Sequence, residues 1–275
     1  MDLKQAARNI RLDTIRCIGS LGAGHYGGSL SIAEVLSVLY FKHMRIDPAR
    51  PKLEGRDRLF LSKGHAGPAL YAALANRGYF PKAKLLTLNQ PGTDLPSHCD
   101  MRRTPGVDMT AGSLAQGFSC AVGAALGSRL RQDGAWIYAI IGDGESQEGQ
   151  IWEAAMFAAS RKLDHMIAFL DYNGAQLDGA VNDINTLEPV CAKWEAFGWN
   201  CIDVADGHDV DAIDRAVCQA KSSAGRPTMI VLHTVKAKGI AKMEGKAQGS
   251  HYFALTPEEV EQALKENGGT DHVDA

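Results

Sequence analysis

The 275-residue sequence lacks the features that mark a secreted or membrane protein. Its six cysteines include no C-x-x-C pair, which argues against a zinc cluster or a dense disulfide framework and favours reduced thiols. No apolar run approaches the ~20 residues that span a bilayer, and the charged N-terminal stretch has no apolar segment typical of a signal peptide. We therefore expect a cytoplasmic protein that does not bind membranes.

A strong excess of charge of one sign is also missing. The chain has 29 basic and 32 acidic residues, a formal net charge of -3 and a pI near 6.3. This balance leaves no electrostatic footprint for nucleic acid, so we expect no nucleic-acid partner. The hydrophobic fraction of 45% and the length are enough for a large core.

Short apolar segments alternate with helical patterns along most of the chain. We predict strands at 57–62, 135–142, 165–172, 200–205 and 228–235, and helices near 6–18, 31–44, 64–78, 113–132, 150–161, 190–197 and 209–223. This order indicates βαβ units, hence a three-layer α/β/α fold with a mainly parallel central sheet. Residues 90–112 are rich in Pro and Gly and predict a long loop. Residues 1–255 are expected to form one domain, and 256–275 a polar helix and a disordered tail.

An acidic, glycine-flanked turn follows the predicted strand 135–142. Glycine-rich turns at strand ends usually hold phosphate, and Asp143 would repel it unless a divalent cation lay between them. The next strand ends at Asn173, an uncharged oxygen ligand, and the chain then turns through Gly174 and exposes a main-chain carbonyl near Ala175. A G-D-G turn alone is common, but the two strand ends together predict a magnesium site beside a diphosphate.

The stretches "GDGESQEGQIWEA" and "LDYNGAQLDG" resemble the thiamine-diphosphate signature. Four more stretches resemble transketolase in particular: "AGHYGGSLSIAEVL", "DRLFLSKGHAGPALYAAL", "SHCDMRRTPGVDMTAGSLAQGFSCAVGAALG" and "TVKAKGIAKMEG". The resemblance covers residues 10–255. It implies a diphosphate-domain fold, thiamine diphosphate with Mg²⁺ (or Ca²⁺ or Mn²⁺ as substitute), and transfer of a two-carbon ketol unit from a ketose or ketose phosphate to an aldose or aldose phosphate.

The resemblance also implies roles for individual residues. Asp143, Asn173 and the carbonyl of Ala175 match the metal ligands, and Gly142, Gly144 and Glu145 match the diphosphate loop. His65 matches a contact of the cofactor diphosphate, and Gly112 and Leu114 match the loop that meets the cofactor rings. His25, His65 and His98 are the candidates for proton transfer to and from sugar hydroxyls. His25 and His98 match histidines that bind sugar hydroxyls, His251 matches the last active-site histidine more weakly, and Glu148 and Glu153 match a proton-relay network at the subunit contact. For His43, His165 and His272 a structural or surface role is preferred.

Transketolases carry two further domains, which we expect to lie on a separate polypeptide. The resemblance therefore implies the N-terminal subunit of a split transketolase, active only with a C-terminal subunit that holds the pyrimidine-binding and C-terminal domains, in an expected α2β2 assembly. Tyr26, Ser97, Cys99, Ala111 and Ala115 depart from residues usual in the family, which puts the sugar specificity in question. Two alternatives stay open: the α subunit of a 2-oxo acid dehydrogenase, and a non-catalytic subunit.

Overall fold

A computed structural model describes residues 2–269 of the chain. Its helices are α1 (Leu3–Gly19), α2 (Tyr26–Leu30), α3 (Ala33–Val38), α4 (Gly67–Arg77), α5 (Gln116–Arg131), α6 (Gly149–Ser160), α7 (Val181–Asn185), α8 (Val190–Ala196), α9 (Val210–Ser222) and α10 (Pro257–Glu266). Its strands are β1 (Ala23–Gly24), β2 (Arg58–Leu61), β3 (Ile137–Gly142), β4 (Met166–Tyr172), β5 (Asn200–Val204), β6 (Thr228–His233) and β7 (Phe253–Ala254). Short 3₁₀ segments lie at 64–66, 82–87 and 145–147.

Five strands form one parallel sheet in the order β2-β3-β4-β6-β5, which confirms the predicted α/β architecture. Successive residues of β3 alternate between its two faces. Tyr138 and Ile140 pack with α1, α3, α4 and α9, whereas Ile137, Ala139 and Ile141 pack with α5, α6 and α8. Because both faces are covered, the strand is apolar throughout, as the sequence suggested.

The predicted strands and helices are all present, with boundaries that differ by a few residues. At α5 the start differs by three residues, since the helix was expected from Ser113 and begins at Gln116. Ala115 just before it has a left-handed backbone (φ 70°), and its N–H donates to the Glu145 carboxylate at 2.8 Å. Phe118 N–H donates to Ser62 Oγ at 2.9 Å. The start of α5 is therefore set by side chains distant in sequence, which local patterns do not contain.

The helix expected from Ser31 to Met44 is divided in two. α3 ends at Val38, and residues Leu39–His43 continue as a π-helix. Wider turns of this kind are most often single-turn insertions inside α-helices. Apolar periodicity does not distinguish the two helix types over so few residues.

A two-stranded antiparallel ribbon of β1 and β7 was not predicted. It pairs Ala23 with Ala254 and Gly24 with Phe253. Two residues per strand are too few to give an alternating pattern. The ribbon joins the N-terminal part of the chain to its C-terminal part, and it fixes the two loops that carry His25 and His251.

The loop expected at 90–112 is confirmed, since residues 88–115 contain neither helix nor strand. The helix expected after residue 255 is α10. Thr256 caps it, since Thr256 Oγ1 accepts from Glu259 N–H and the Glu259 carboxylate accepts from Thr256 N–H. The tail predicted to be disordered falls at 270–275, outside the described residues. Across the described range, no helix combines the length and apolarity that crossing a membrane requires.

Candidate active site

A cavity of about 490 Å³ lies at the carboxyl ends of β3 and β4. Parallel pairing sets Gly142 beside Asp171, so the chain leaves both strands at the same edge of the sheet. The predicted site residues that line the cavity are His25, His65, His98, Gly112, Leu114, Gly142, Asp143, Gly144, Glu145, Glu148, Asn173, Ala175 and His251. Glu153 is the exception, because it is exposed on α6 away from the lining.

The carboxylate of Glu145 is a structural acceptor that holds the turn together. It is 3% exposed and accepts hydrogen bonds from the N–H groups of Ala115 (2.8 Å) and Gly142 (2.9 Å) and from Ser62 Oγ (2.5 Å). These bonds tie β3, the end of β2 and the start of α5 to one side chain. Burial raises the pKa of Glu145, and the hydrogen bonds oppose that rise. The Glu145 carboxylate therefore fixes the shape of the turn at residues 142–145.

Asp143 has a different environment. Its Oδ1 accepts from Gly144 N–H at 2.8 Å and its Oδ2 from Gly174 N–H at 2.7 Å, so it bridges the ends of the two strands. Burial and the nearby Asp171 carboxylate raise the pKa of Asp143 to about 7, against the lowering effect of these bonds and of Lys236. A carboxylate destabilised in this way is one that a bound cation would stabilise.

Asn173 is oriented by a buried acid that the sequence did not single out. Its Nδ2 donates to Asp171 at 2.8 Å, which leaves the amide oxygen as its acceptor end. Asp171 is 1% exposed and also accepts from Lys63 Nζ (2.6 Å), Ser31 Oγ (2.7 Å) and Thr234 Oγ1 (2.5 Å). Although burial opposes it, Lys63 and the hydroxyl donors lower the pKa of Asp171.

The carbonyl oxygen of Ala175 already has a cationic partner. Lys236 Nζ donates to it at 2.6 Å, in a loop that turns through Gly174 with φ 76° as expected. Burial lowers the pKa of Lys236 to about 8. A carboxylate, an amide oxygen and a main-chain carbonyl are the hard oxygen donors that Mg²⁺ prefers. The donor set therefore fits the metal, and a cation bound to Ala175 would share that oxygen with Lys236 or displace it.

Four histidines from distant parts of the chain form a cluster on the cavity wall. The His25 ring lies 5.4 Å from His65, 5.5 Å from His98 and 5.3 Å from His251, centroid to centroid, and the ring of Tyr252 lies 5.0 Å from it. The β1–β7 ribbon brings His251 into this cluster, because His251 lies two residues before β7 and His25 directly follows β1.

Burial keeps these imidazoles neutral. It lowers the pKa of His25 and that of His251 to about 4 each, helped by His98 in the first case and by Lys236 in the second. It lowers the pKa of His65 well below its ordinary value, with Lys63 contributing. At neutral pH each ring can therefore donate one hydrogen bond and accept another.

The remaining predicted residues occupy the rim of the cavity or lie elsewhere. Gly112 has open space on its side-chain side, and Glu148 is an exposed residue directly before α6. His43 and His165 have structural contacts away from the cavity: His43 Nε2 lies 2.7 Å from Asp214 Oδ1, and the His165 ring stacks on Trp136 at 4.5 Å. His272 lies outside the described residues.

Sequence reasoning missed the two lysines and the buried aspartate of this site. Lys63 and Lys236 line the cavity together with Asp171. Their signals were available, because Lys63 lies in "SKGHAG", Lys236 lies in "TVKAKG", and Asp171 interrupts the apolar end of β4. A buried charge needs a partner, and Lys63 after β2 pairs with Asp171 of β4 at 2.6 Å across the end of β3, which lies between these strands.

Comparison with known proteins agrees with this geometry. The family model "Transketolase, thiamine diphosphate binding domain" matches residues 3–274. The chain is 59% identical over 266 residues to the 6-deoxy-6-sulfo-D-fructose transketolase subunit SqwG of Clostridium sp. (strain MSTE9), covering 97% of this chain and 96% of that one. It is 36% identical over 244 residues to one of the subunits of the apulose-4-phosphate transketolase of Phocaeicola vulgatus, covering 89% and 86%.

Solved structures give the same result. A Pichia stipitis transketolase crystallised with sedoheptulose-7-phosphate superposes with a TM-score of 0.92 at 31% identity. The match covers 98% of this chain and 41% of that one, so this chain spans about two fifths of that transketolase. Sequence match and superposition extend over nearly every described residue, and the chain belongs to the transketolase family.

Proposed function

We propose that this chain is the diphosphate-binding subunit of a cytoplasmic transketolase that works with a separate C-terminal subunit. The observation that carries the proposal is the cavity at the ends of β3 and β4, where Asp143, Asn173 and the four-histidine cluster line one space. The division into two chains is supported by the two relatives named as transketolase subunits, which this chain matches over 96% and 86% of their lengths.

Within this proposal, Asp143, Asn173 and the Ala175 carbonyl hold Mg²⁺, which in turn binds the cofactor diphosphate. Lys63 and Lys236 line the same cavity. Because Lys63 is paired with Asp171, Lys236 is the ammonium group that would offset part of the negative charge of a diphosphate. Gly144 lies close to Gln176, since a Cβ at Gly144 would come within 2.9 Å of the Gln176 side chain. The glycine therefore lets the two turns pack together beside the diphosphate.

Bound thiamine diphosphate would supply the carbanion chemistry of ketol transfer. This chain's contribution is to bind, orient and move protons. Neutral histidines suit the sugar hydroxyls, because a neutral imidazole accepts a hydroxyl proton at one nitrogen and donates from the other. We assign that role to His25, His98 and His251, and we assign cofactor contact to His65. Gly112 and Leu114 form the backbone wall against the cofactor rings.

The partner subunit would dock on the outer face of α6. This helix begins at the cavity, directly after Glu148, and it exposes Glu153, Met156 (54%) and Phe157 (40%). Gly123 on α5, which packs beside α6, has no atom within 4 Å of its side-chain position. An exposed apolar face that adjoins an active site suits a protein–protein contact. Glu148 and Glu153 would then lie at the junction of the subunits.

The donor is a ketose that carries an anionic group at the end remote from its ketol carbons. We place 6-deoxy-6-sulfo-D-fructose first, because the relative named for that sugar is 59% identical along almost the whole chain. The relative named for apulose-4-phosphate is 36% identical, so its name is a weaker argument for the substrate of this chain. The residues that grip the anionic group are expected on the partner subunit.

A reconstitution assay tests the proposal. The purified chain is mixed with a C-terminal transketolase subunit from the same organism, thiamine diphosphate and Mg²⁺, and cleavage of 6-deoxy-6-sulfo-D-fructose and of D-fructose 6-phosphate is followed with an acceptor aldehyde. Activity should need both chains. Robust turnover by this chain alone would refute the division of the enzyme into two chains, and cofactor binding without any ketose cleavage would favour a 2-oxo acid substrate. No cofactor binding by the mixture would indicate a non-catalytic subunit.

A further inference from the structure

A second cavity, of about 690 Å³, lies away from the active site at the amino end of β2. Five cationic side chains line it, Lys52, Arg56, Arg58, Arg102 and Arg103, together with one acid, Asp108. We call this group of six residues the cationic basin. Its walls come from two loops, 51–58 before β2 and 101–108 within the long loop.

The single acid of the basin is already neutralised. Asp108 forms an ion pair with Arg56 Nη2, and its second oxygen accepts from Leu59 N–H at 2.9 Å. Arg56 is 9% exposed, and its Nε has no hydrogen-bond partner among residues 2–269. Asp108 therefore offsets Arg56 first and Arg58 to a smaller extent, and the basin keeps an excess of positive charge.

The other four cations of the basin have little compensation elsewhere. Arg103 Nε lies 3.9 Å from the nearest Asp100 oxygen, the edge of ion-pair range. Within residues 2–269, Lys52, Arg58 and Arg102 take part in none of the ion pairs of the structure. Neighbouring like charges repel each other, so clustering them costs free energy unless an anion binds there or solvent screens the charges fully. Arg58 is half-buried, so it is screened less than a surface arginine.

The basin is connected to the active site through one loop. The segment 99–111 is closed at its base by the hydrogen bond from Ala111 N–H to Cys99 O (3.1 Å) and braced by Met101 N–H to Thr110 Oγ1 (3.1 Å). His98, directly before the segment, and Gly112, directly after it, both line the active-site cavity. The middle of the segment contributes Arg102, Arg103 and Asp108 to the basin.

We propose that the cationic basin binds a small sugar phosphate with more than one phosphate group, and that its binding restrains segment 99–111 between the basin and the active site. Guanidinium groups favour phosphate because they offer paired N–H donors in a planar fork. The described lining contains no aromatic ring on which a nucleobase could stack, which favours a sugar over a nucleotide. This site goes beyond the proposed function and does not depend on it.

Calorimetry on the full chain, without partner or cofactor, tests the site. The probe is D-fructose 1,6-bisphosphate at physiological ionic strength, with inorganic phosphate and D-fructose for comparison. We expect the bisphosphate to bind at least tenfold more tightly than phosphate, and D-fructose not to bind. The double variant Arg102→Gln/Arg103→Gln should weaken bisphosphate binding at least tenfold. The matched control Arg215→Gln/Arg226→Gln removes two exposed arginines elsewhere and should leave it unchanged.

Two further measurements complete the test. Lys236→Met removes an ammonium from the active-site cavity, so loss of bisphosphate binding in that variant would place the probe there and overturn the proposal. Hydrogen–deuterium exchange should slow in segment 99–111 when the bisphosphate binds. Absence of binding, equal affinity for phosphate and bisphosphate, equal weakening in the control variant, or unchanged exchange in the segment would each overturn the proposal. Since none of these readouts uses turnover, the outcome is separate from that of the reconstitution assay.

Discussion

The side-chain amide of Asn173 donates a 2.8 Å hydrogen bond to Asp171, a carboxylate that is itself 1% exposed and paired with Lys63. The proposed metal ligand is thus held by an acid that does not belong to the ligand set. In metal sites such outer partners fix the orientation of the ligands, and their loss typically costs 10- to 100-fold in affinity.

Asp171→Asn should therefore weaken Mg²⁺-dependent binding of thiamine diphosphate by roughly 10- to 100-fold. The new amide carries no negative charge to pair with the buried Lys63 ammonium, and its NH₂ group faces the donor Thr234 Oγ1, so the group of side chains that orients Asn173 is disturbed. Titration calorimetry with the assembled enzyme at several Mg²⁺ concentrations measures the effect. Asp178→Asn, an exposed acid of the following loop, is the control and should bind as the parent does. Equal affinity in both variants would refute the positioning role.

Asp143→Ala should abolish the Mg²⁺ dependence of cofactor binding while the chain stays folded. Within residues 2–269, the Asp143 side chain accepts two hydrogen bonds, both from main-chain N–H groups of its own turn and the next. Loss of the charge removes an anionic ligand for the metal. Calorimetry in Mg²⁺ and in EDTA measures the dependence, and circular dichroism checks the fold. Retained dependence on Mg²⁺ would contradict the metal assignment.

Glu145→Gln should lower the free energy of unfolding of this chain. The glutamate accepts from Ala115 and Gly142 N–H and from Ser62 in a buried environment. A glutamine must direct its NH₂ group at one of these donors, which leaves a buried donor unsatisfied at a cost of about 1–3 kcal/mol. Urea denaturation of the isolated chain measures the free energy of unfolding. A variant as stable as the parent but impaired in Mg²⁺ binding would instead make Glu145 a ligand.

Asp143 and Glu145 illustrate what the sequence could and could not predict. The apolar runs and the alternation of elements were sufficient for the parallel sheet, because parallel strands buried on both faces have a strong local pattern. The strand ends then placed Asp143 and Asn173 at one edge. The separate functions of Asp143 and Glu145 depend on which N–H groups lie within 3 Å, and those come from α5 and from the loop after β4.

The same limit explains the histidines and lysines. His251 was the weakest of the histidine assignments because its stretch departs from the family pattern, yet the β1–β7 ribbon brings it to 5.3 Å from His25. A ribbon in which each strand has only two residues leaves no recognisable strand pattern in a single sequence. Lys236 was passed over because its partner, the Ala175 carbonyl, is a main-chain atom.

The histidine cluster should make the chain less stable as the pH falls from 6.5 to about 4. Burial lowers the pKa of His25 and of His251 to about 4, from an ordinary value of 6.5. In that interval the unfolded chain binds protons that the folded chain does not, so the free energy of unfolding decreases as the pH falls. Thermal unfolding midpoints measured across the interval test this.

The double variant His25→Gln/His251→Gln should show a shallower decline of the midpoint over the same interval, because it removes two of the groups responsible. Tyr252→Phe keeps the ring that contacts His25 and should retain the parent's slope. Parallel curves for the double variant and the parent would show that these imidazoles do not titrate differently in the folded and unfolded states.

Met156→Lys should prevent assembly with the C-terminal subunit without unfolding this chain. Met156 is 54% exposed on α6, so the monomer tolerates a charge there, whereas a contact with the partner would bury that charge unpaired. Losses at the centre of an interface reach about 2 kcal/mol or more, which corresponds to a roughly 30-fold higher Kd.

Leu86→Lys, at a residue 46% exposed in the 3₁₀ segment 82–87, is the control. Sedimentation velocity should detect the complex with the control and the parent but not with Met156→Lys. Activity should fall in parallel with assembly and recover at high partner concentration. If Met156→Lys assembles as the parent does, the docking surface does not include this face of α6.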